Sequence, residues 1–275
     1  MNDRISNPIP SLISAIIVTY NDSILLEKCL QSLCHCDEIL VFDMGSIDQS
    51  VEISSHFASK ILNIPQTDIV EKIWSQIVKE AKNDWIILID PDEIFPTAIF
   101  PELEKIIETH PDVALISIPW KYYFLGKPLD STHWGRDNYK ARIFNRQHVE
   151  FTGIIFEGIK IKQGYLLYTF PFESRFVLQH FWINSIEQLF KKHWRYIRNA
   201  GEAKYIKGEK FSVKKQIVQS VKALREDLID YCGIKDGWRG IFLSFFHAWF
   251  TFMCHSSLLY YQLFLSSGTM HGKNT

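Results

Sequence analysis

The chain has 275 residues, of which 47 % are hydrophobic and 22 % charged, with a formal net charge of −1. That length supports one large domain, or one domain with an appendage, and the near-neutral balance excludes a dedicated nucleic-acid binder. Cys29, Cys34, Cys36, Cys232 and Cys254 make an odd set, and Met1 to Leu12 lacks a basic-then-apolar leader, so reduced thiols in a cytosolic chain are expected. Cys34-His35-Cys36 has no second Cys/His pair at zinc-like spacing and reads as helix-end thiols.

Ile13 to Thr19 (ISAIIVT) is an apolar, β-branched strand running into the polar turn Tyr20-Asn21-Asp22-Ser23. Leu25, Leu26, Cys29, Leu30 and Leu33 then recur at helical spacing. Glu38 to Phe42 is a second strand ending at Asp43-Met44-Gly45-Ser46, where Ser46 and Gln49 form a capping-box pattern that opens a helix through Phe57. Lys60 to Ile64 is a short third strand. Asp68 and Glu71 give a second capping-box signal for one amphipathic helix from Ile69 to Ala81. Trp85 to Ile89 is a run of large apolar residues, the pattern of a strand buried on both faces. It breaks off in Asp90-Pro91-Asp92-Glu93, because Pro91 has no N–H to give a central ladder.

Strand–helix alternation through this region predicts a mostly parallel sheet with helices on both faces. The polar strand ends at Tyr20/Asn21/Asp22, Asp43 and Asp90/Asp92/Glu93 then converge on one edge, where open α/β sheets bind ligands. Three clustered carboxylates repel one another unless a cation neutralises them, and Mg2+ is held by one or two carboxylates plus substrate phosphates. An acidic turn capping the next helix is the plainer alternative. No glycine-rich phosphate loop follows the first strand, which weighs against dinucleotide-binding and P-loop proteins and against a sugar nucleotidyltransferase.

Asp112 to Pro119 is a further strand. Trp120 to Asp137 then loosens into an aromatic, Gly- and Pro-containing loop, whose Trp120, Tyr122, Tyr123, Phe124 and Trp134 either form an acceptor-sugar platform or pack beneath it. Tyr139 to Phe144 alternates as an edge strand would. Arg136, Lys140 and Arg142 are available to offset diphosphate charge or simply to face solvent. Glu157 lies in the apolar run Val149 to Ile159. Desolvation raises the pKa of such a carboxyl and suits it to take a proton from an acceptor hydroxyl; a solvent-facing strand Glu is the other reading, and Glu150 and Glu173 are weaker candidates. His180 stands among apolar residues, as core histidines do.

From Lys191 to Arg225 the chain carries eleven Lys/Arg against Glu202 and Glu209. Ile241 to Leu265 is apolar and aromatic and long enough to span a bilayer, but Ser244, His247, His255, Ser256, Ser257 and Gln262 interrupt it. It reads as a helix in the membrane interface with a basic flank attracted to anionic lipid; a buried C-terminal helix or a dimer contact is the alternative.

Ile16-Ile17-Val18-Thr19-Tyr20-Asn21, Val41 to Asp48 and Trp85 to Glu93 together resemble the family-2 glycosyltransferases of GT-A fold, and within them the subgroup that includes the lipopolysaccharide core β-1,4-glucosyltransferases. The resemblance covers residues 13 to about 160. It implies an α/β, Rossmann-like catalytic domain over 1–183 and a basic, aromatic helical extension over 184–275. It implies that Thr19, Tyr20 and Asn21 line a nucleotide, that Asp43 bonds a uracil-type base, and that Asp90 and Asp92 form a D-x-D pair for ribose and metal. Arg142 resembles the family's Arg in an R-x-F pattern. A downstream His completes the metal site in many members, which makes His180 a third expected ligand beside Asp90 and Asp92. Pro91, Met44 and Phe156 depart from the family's usual residues.

These readings combine into an inverting glycosyltransferase using Mg2+ or Mn2+, with Glu157 as base. A UDP-linked nucleotide-sugar is the donor and a surface-glycan or lipid-linked saccharide the acceptor. The enzyme is expected to sit peripherally on the inner face of the cell membrane through residues 238–265. The rivals are a sugar nucleotidyltransferase and a non-catalytic membrane-associated scaffold.

Overall fold

A computed structural model describes residues 11–67, 70–136, 138–152 and 158–265. The chain divides into two compact units, Met1–Lys121 with Asp137–His180, and Tyr122–Arg136 with Phe181–Thr275. Residues 122–136 belong to the second unit.

The first unit opens with β1 (Ser11–Thr19), α1 (Ser23–Gln31), β2 (Cys36–Asp43), α2 (Ser50–Ser55), β3 (Lys60–Asn63), the short α3 (Trp74–Ile77), β4 (Trp85–Ile89), β5 (Glu93–Ile94) and α4 (Phe100–Thr109). There follow β6 (Val113–Phe124), which runs into the second unit, then β7 (Lys127–Pro128) and α5 (Thr132–Gly135) of that unit. The chain returns with β8 (Asn138–Asn145), the hairpin β9 (Val149–Phe151) and β10 (Ile159–Ile161), β11 (Leu166–Thr169) and β12 (Leu178–Ile183). Strand order in the large sheet is β3-β2-β1-β4-β8-β6-β12-β5. The first four strands are parallel, and β8 joins β4 antiparallel.

Side-chain alternation divides the apolar strands between two cores, as a sheet covered on both faces requires. Ile13, Ala15, Ile17, Ile87 and Ile89 pack with Leu26, Leu30 and Leu103 on one face. Ile16, Leu40, Phe42, Ile86 and Leu88 pack with Trp74, Ile77 and Val78 on the other. All five residues of β4 are buried. Each large apolar side chain buried this way contributes about 1.5–3 kcal/mol.

Four expectations are corrected. The helix over 69–81 is broken into single turns at 70–72, 74–77 and 78–80; the β-branched Val70, Ile73, Ile77 and Val78 are poor helix propagators, and Asp68 lies outside the described residues. The Ser46/Gln49 capping box does not form, since Ser46 Oγ accepts instead from the Asn21 N–H at 2.9 Å. Tyr139 to Phe144 is no edge strand: β8 lies between β4 and β6. The aromatic stretch after Pro119 is still strand as far as Phe124.

The second unit is mainly α6 (Ile186–Ile206), α7 (Val213–Arg225) and α8 (Trp238–Tyr260). Ser185 caps α6 by accepting the Gln188 N–H at 3.1 Å, and Ser212 caps α7 through Lys215 N–H; both follow the usual Ser N-cap logic. Gly201 lets α6 approach α8 closely, for a Cβ there would lie 2.4 Å from Ser257 O. Phe124, Trp134, Trp182, Leu189, Leu243 and Phe246 form this unit's core. The buried Asp227 accepts the His133 N–H at 2.8 Å and lies 3.0 Å from His247 Nδ1, while Asp236 accepts the N–H groups of Asp130 and Ser131. These carboxylates hold residues 130–133 to the segments that carry them.

Candidate active site

The ends of β1 and β2 lie side by side, with Thr19 opposite Asp43. Asp43 is buried. Its Oδ2 accepts the N–H groups of Gly45 (2.9 Å) and Ser46 (3.0 Å), which shapes the turn after β2. Gly45 has φ +85°, a value glycine adopts without steric cost. Asp43 Oδ1 and Thr19 Oγ1 are buried with no hydrogen-bond partner among the described residues. Buried polar atoms are almost always paired, so these two neighbouring exceptions, a carboxylate that accepts and a hydroxyl that can give or accept, mark a place for a polar ligand.

Asn21 has φ +54°, a left-handed conformation Asn tolerates better than most residues. Its N–H goes to Ser46 Oγ and its Oδ1 accepts the Ile47 N–H at 2.8 Å, so Asn21 ties the first turn to the second. Tyr20 beside it is exposed. Asp22 is pushed up to about 6, first by burial and then by the charges of Asp92, Asp48 and Asp90, against a lowering bond from the Tyr20 N–H.

On the other side of β1, β4 ends at the acidic loop. Glu93 is fully buried; its Oε2 accepts the Asp90 N–H at 3.0 Å and fixes the turn across Pro91. Lys140 from β8 bonds to Glu93 and reaches Asp90 Oδ2 at 3.0 Å. Arg142, two residues along the same strand, reaches that same oxygen at 3.1 Å. Burial raises the Asp90 pKa, but the charges of Arg142, Lys140 and His180 outweigh it and hold the carboxyl far below the usual range. Arg142 itself is desolvated, yet Asp90 and Glu93 raise its pKa.

The ladder between β5 and β12 pairs Glu93 with His180. His180 Nε2 lies 3.2 Å from Asp92 Oδ2. Trp120 stacks flat on the His180 ring (5.0 Å, 9°), and the Lys140 ammonium lies 4.4 Å from the Trp120 ring centroid. Thus Asp92 and His180 come together, whereas Asp90 is turned to Lys140 and Arg142. No group of three His, Cys, Asp or Glu side chains is arranged to hold a metal among the described residues. A carboxylate and an imidazole nitrogen 3.2 Å apart nonetheless form a donor pair of the kind divalent ions take.

Glu157 lies outside the described residues. Of the weaker base candidates, Glu150 is exposed on β9, and Glu173 is paired with Arg175 at 2.8 Å. Arg136 bonds to Tyr231 Oη at 3.0 Å within the second unit. The aromatics after Pro119 take the packing role: Tyr123 stacks on Phe181, and Tyr122 and Trp134 lie against Trp182. Sequence reasoning missed the buried role of Lys140 and the loop-forming role of Glu93. The available signal was Lys140 two residues before Arg142, which places both on one strand face.

A parallel four-strand run that turns mixed beyond an acidic loop is a GT-A architecture. The family model described as Glycosyl transferase family 2 matches residues 14–158, more than half of the chain, and the chain belongs to that family. It is 33 % identical over 96 residues to an uncharacterized glycosyltransferase of Rickettsia bellii, covering 34 % of this chain and 32 % of that protein. It is 23 % identical over 207 residues to one of Rickettsia typhi, covering 73 % and 70 %. The chain spans about a third of the length of the first of these relatives. Among solved structures it is similar to glucosyl-3-phosphoglycerate synthase from Mycobacterium tuberculosis, in complex with Mn2+, UDP and glucosyl-3-phosphoglycerate, at 20 % identity and a TM-score of 0.34, covering 40 % of this chain and 44 % of that one.

Proposed function

We propose that the chain is an inverting glycosyltransferase that moves a sugar from a UDP-linked donor to a hydroxyl of a surface-glycan or lipid-linked saccharide. The observation that carries this is the unpaired pair of polar atoms Thr19 Oγ1 and Asp43 Oδ1, on the strand ends next to the Asp90–Glu93 loop. A pyrimidine base has the N–H that Asp43 lacks. Asp90 takes a ribose hydroxyl, and Arg142 and Lys140 lend positive charge to the diphosphate. Asp92 and His180 are the residues that would hold Mg2+ or Mn2+, and such an ion would supply positive charge against the leaving diphosphate. Glu157 takes the proton of the acceptor hydroxyl as that hydroxyl's oxygen bonds to the anomeric carbon. The bond from that carbon to the diphosphate oxygen breaks, and the nucleoside diphosphate leaves.

In this reading residues 1–183 perform the transfer and 184–275 serve the acceptor at the inner membrane surface. The resemblance of the turns at Asn21, Asp43 and Asp92 to the core glucosyltransferases supports a lipopolysaccharide-type acceptor. The test is calorimetric titration of UDP into wild type and Asp92→Ala, each with and without Mn2+. Metal-dependent binding that is lost in the variant supports the reading. No binding of UDP by wild type under any condition overturns it.

A further inference from the structure

The apolar surface of the second unit is concentrated where its cations are. Trp238, Ile241, Phe245, Phe252 and Tyr260 are all exposed, and their spacing puts them on one stripe of α8. The apolar helix continues to Phe264, over 27 residues in all, yet only 28 % of its apolar window is buried. The remaining positions of α8 are buried or half-buried, so the exposed apolar residues form a single open stripe on an otherwise packed helix. At about 1.5 Å per residue the stripe is roughly 40 Å long.

Beside it, Phe190 and Trp194 of α6 and Trp249 of α8 line a groove, with Lys191 and Arg198 on its rim and Glu187 as the single acid. Lys191 and Arg198 make no ion pair among the described residues, whereas Lys204, Lys215, Lys222 and Arg225 are paired with acids. Trp194 and Trp249, each an apolar ring with a polar N–H, beside Lys191 and Arg198, suit the headgroup level of a bilayer.

The helix lies along such a surface rather than through it. Its buried face packs on α6 and α7, and Gln216 of α7 bonds to Phe252 O and Ser256 Oγ. Those two helices carry most of the eleven Lys/Arg between 191 and 225, too much charge to enter hydrocarbon. A second copy of the chain suits the groove poorly, because a two-fold contact there would gather four cations, Lys191 and Arg198 from each copy, against only two carboxylates from Glu187.

We infer that the groove formed by Phe190, Trp194 and Trp249, with the exposed stripe of α8, docks on an anionic bilayer, with Lys191 and Arg198 holding a lipid phosphate. This rests on the reading above only in that a lipid-linked acceptor gives the docking its use. The test is flotation of the full chain with phosphatidylcholine vesicles, plain or doped with phosphatidylglycerol, using wild type, Trp194→Ser and Lys191→Glu/Arg198→Glu. Wild type binds the doped vesicles and loses binding as salt rises. The double charge reversal lowers that binding about tenfold or more, since each basic residue near such a surface is worth about fivefold. Trp194→Ser weakens binding to both vesicle types, and inorganic phosphate at matched ionic strength leaves wild-type binding in place.

Absence of wild-type binding, or equal binding by all three proteins, overturns the inference. So does a wild-type dimer that Trp194→Ser dissociates, which assigns the groove to a second copy. So does competition by inorganic phosphate, which assigns the cations to a soluble anion. UDP titration of the same preparations separates the two claims: vesicle binding without UDP binding removes the donor site and keeps the docking face. UDP binding without vesicle binding does the reverse.

Discussion

The Lys140 ammonium is bonded to the carboxylate of Glu93, which has no exposed surface at all. The two side chains come from β8 and the acidic loop, so one ion pair fixes the loop that carries Asp90 and Asp92. Removing one partner of a buried pair leaves the other charge uncompensated, at a cost of about 3–5 kcal/mol. Lys140→Ala is expected to lower unfolding stability by that order in urea denaturation. Lys140→Met combined with Glu93→Gln is expected to recover a large part of it, because neither charge is then stranded. Additive losses in the double variant would show that the pair does not act as a unit.

The chemical step is tested at Glu157. Glu157→Gln keeps the size of the side chain and removes its basicity. Turnover is expected to fall about a hundredfold or more, in line with loss of a general base, while UDP affinity by calorimetry stays near wild type. Near-normal turnover removes Glu157 from the role and sends the search for a base elsewhere in the chain.

The parts of this site that could be read from sequence were those whose burial has one cause. Trp85 to Ile89 is apolar throughout because both faces of β4 are covered, and Pro91 must end it. The polar strand ends at Asp43 and Asp90 follow from the parallel order. Lys140 and Arg142 were legible only as alternation, and alternation does not say whether the polar face meets water or a carboxylate pair. Here it meets Asp90 and Glu93. Ser46 matched a capping pattern whose hydroxyl has a competing customer in the Asn21 N–H, 25 residues earlier. No local pattern contains such a partner. The Trp120 stack on His180 is likewise a product of tertiary packing, since the two residues are 60 positions apart in sequence.

Asp22 gives a pH signature. Its folded pKa of about 6 stands above the ordinary value of 3.8. A carboxyl whose folded pKa is raised binds its proton more tightly in the native state, so its contribution is intact below about pH 4. It is lost as pH rises towards 6, when a charged group must be held in the same place. The loss is about 3 kcal/mol for a shift of this size. Asp22→Asn keeps an oxygen for the Tyr20 N–H and has no charge to bury. The variant is therefore expected to gain stability over wild type between pH 4 and 7 and to match it below that window. Denaturant midpoints measured across the range check this; parallel curves for the two proteins would show that Asp22 is not held neutral.

The hydroxyl of Thr19 separates stability from function. Thr19 is buried, and its Oγ1 has no partner among the described residues. An unsatisfied buried hydroxyl is destabilising, so Thr19→Val, which keeps the branched shape and removes the polar atom, is expected to stabilise the fold by about 1 kcal/mol. If the hydroxyl serves the donor, the same change weakens UDP binding about fivefold, the value of one lost hydrogen bond. The opposite signs matter, because damage to the fold lowers both quantities together. A variant that is more stable and binds UDP less well places Thr19 at the nucleotide. One that is more stable and binds UDP unchanged leaves the base-binding role to Asp43 alone. A variant that is less stable shows that the hydroxyl has a partner in solution, and that the polar atoms at the ends of β1 and β2 are already satisfied before any donor arrives.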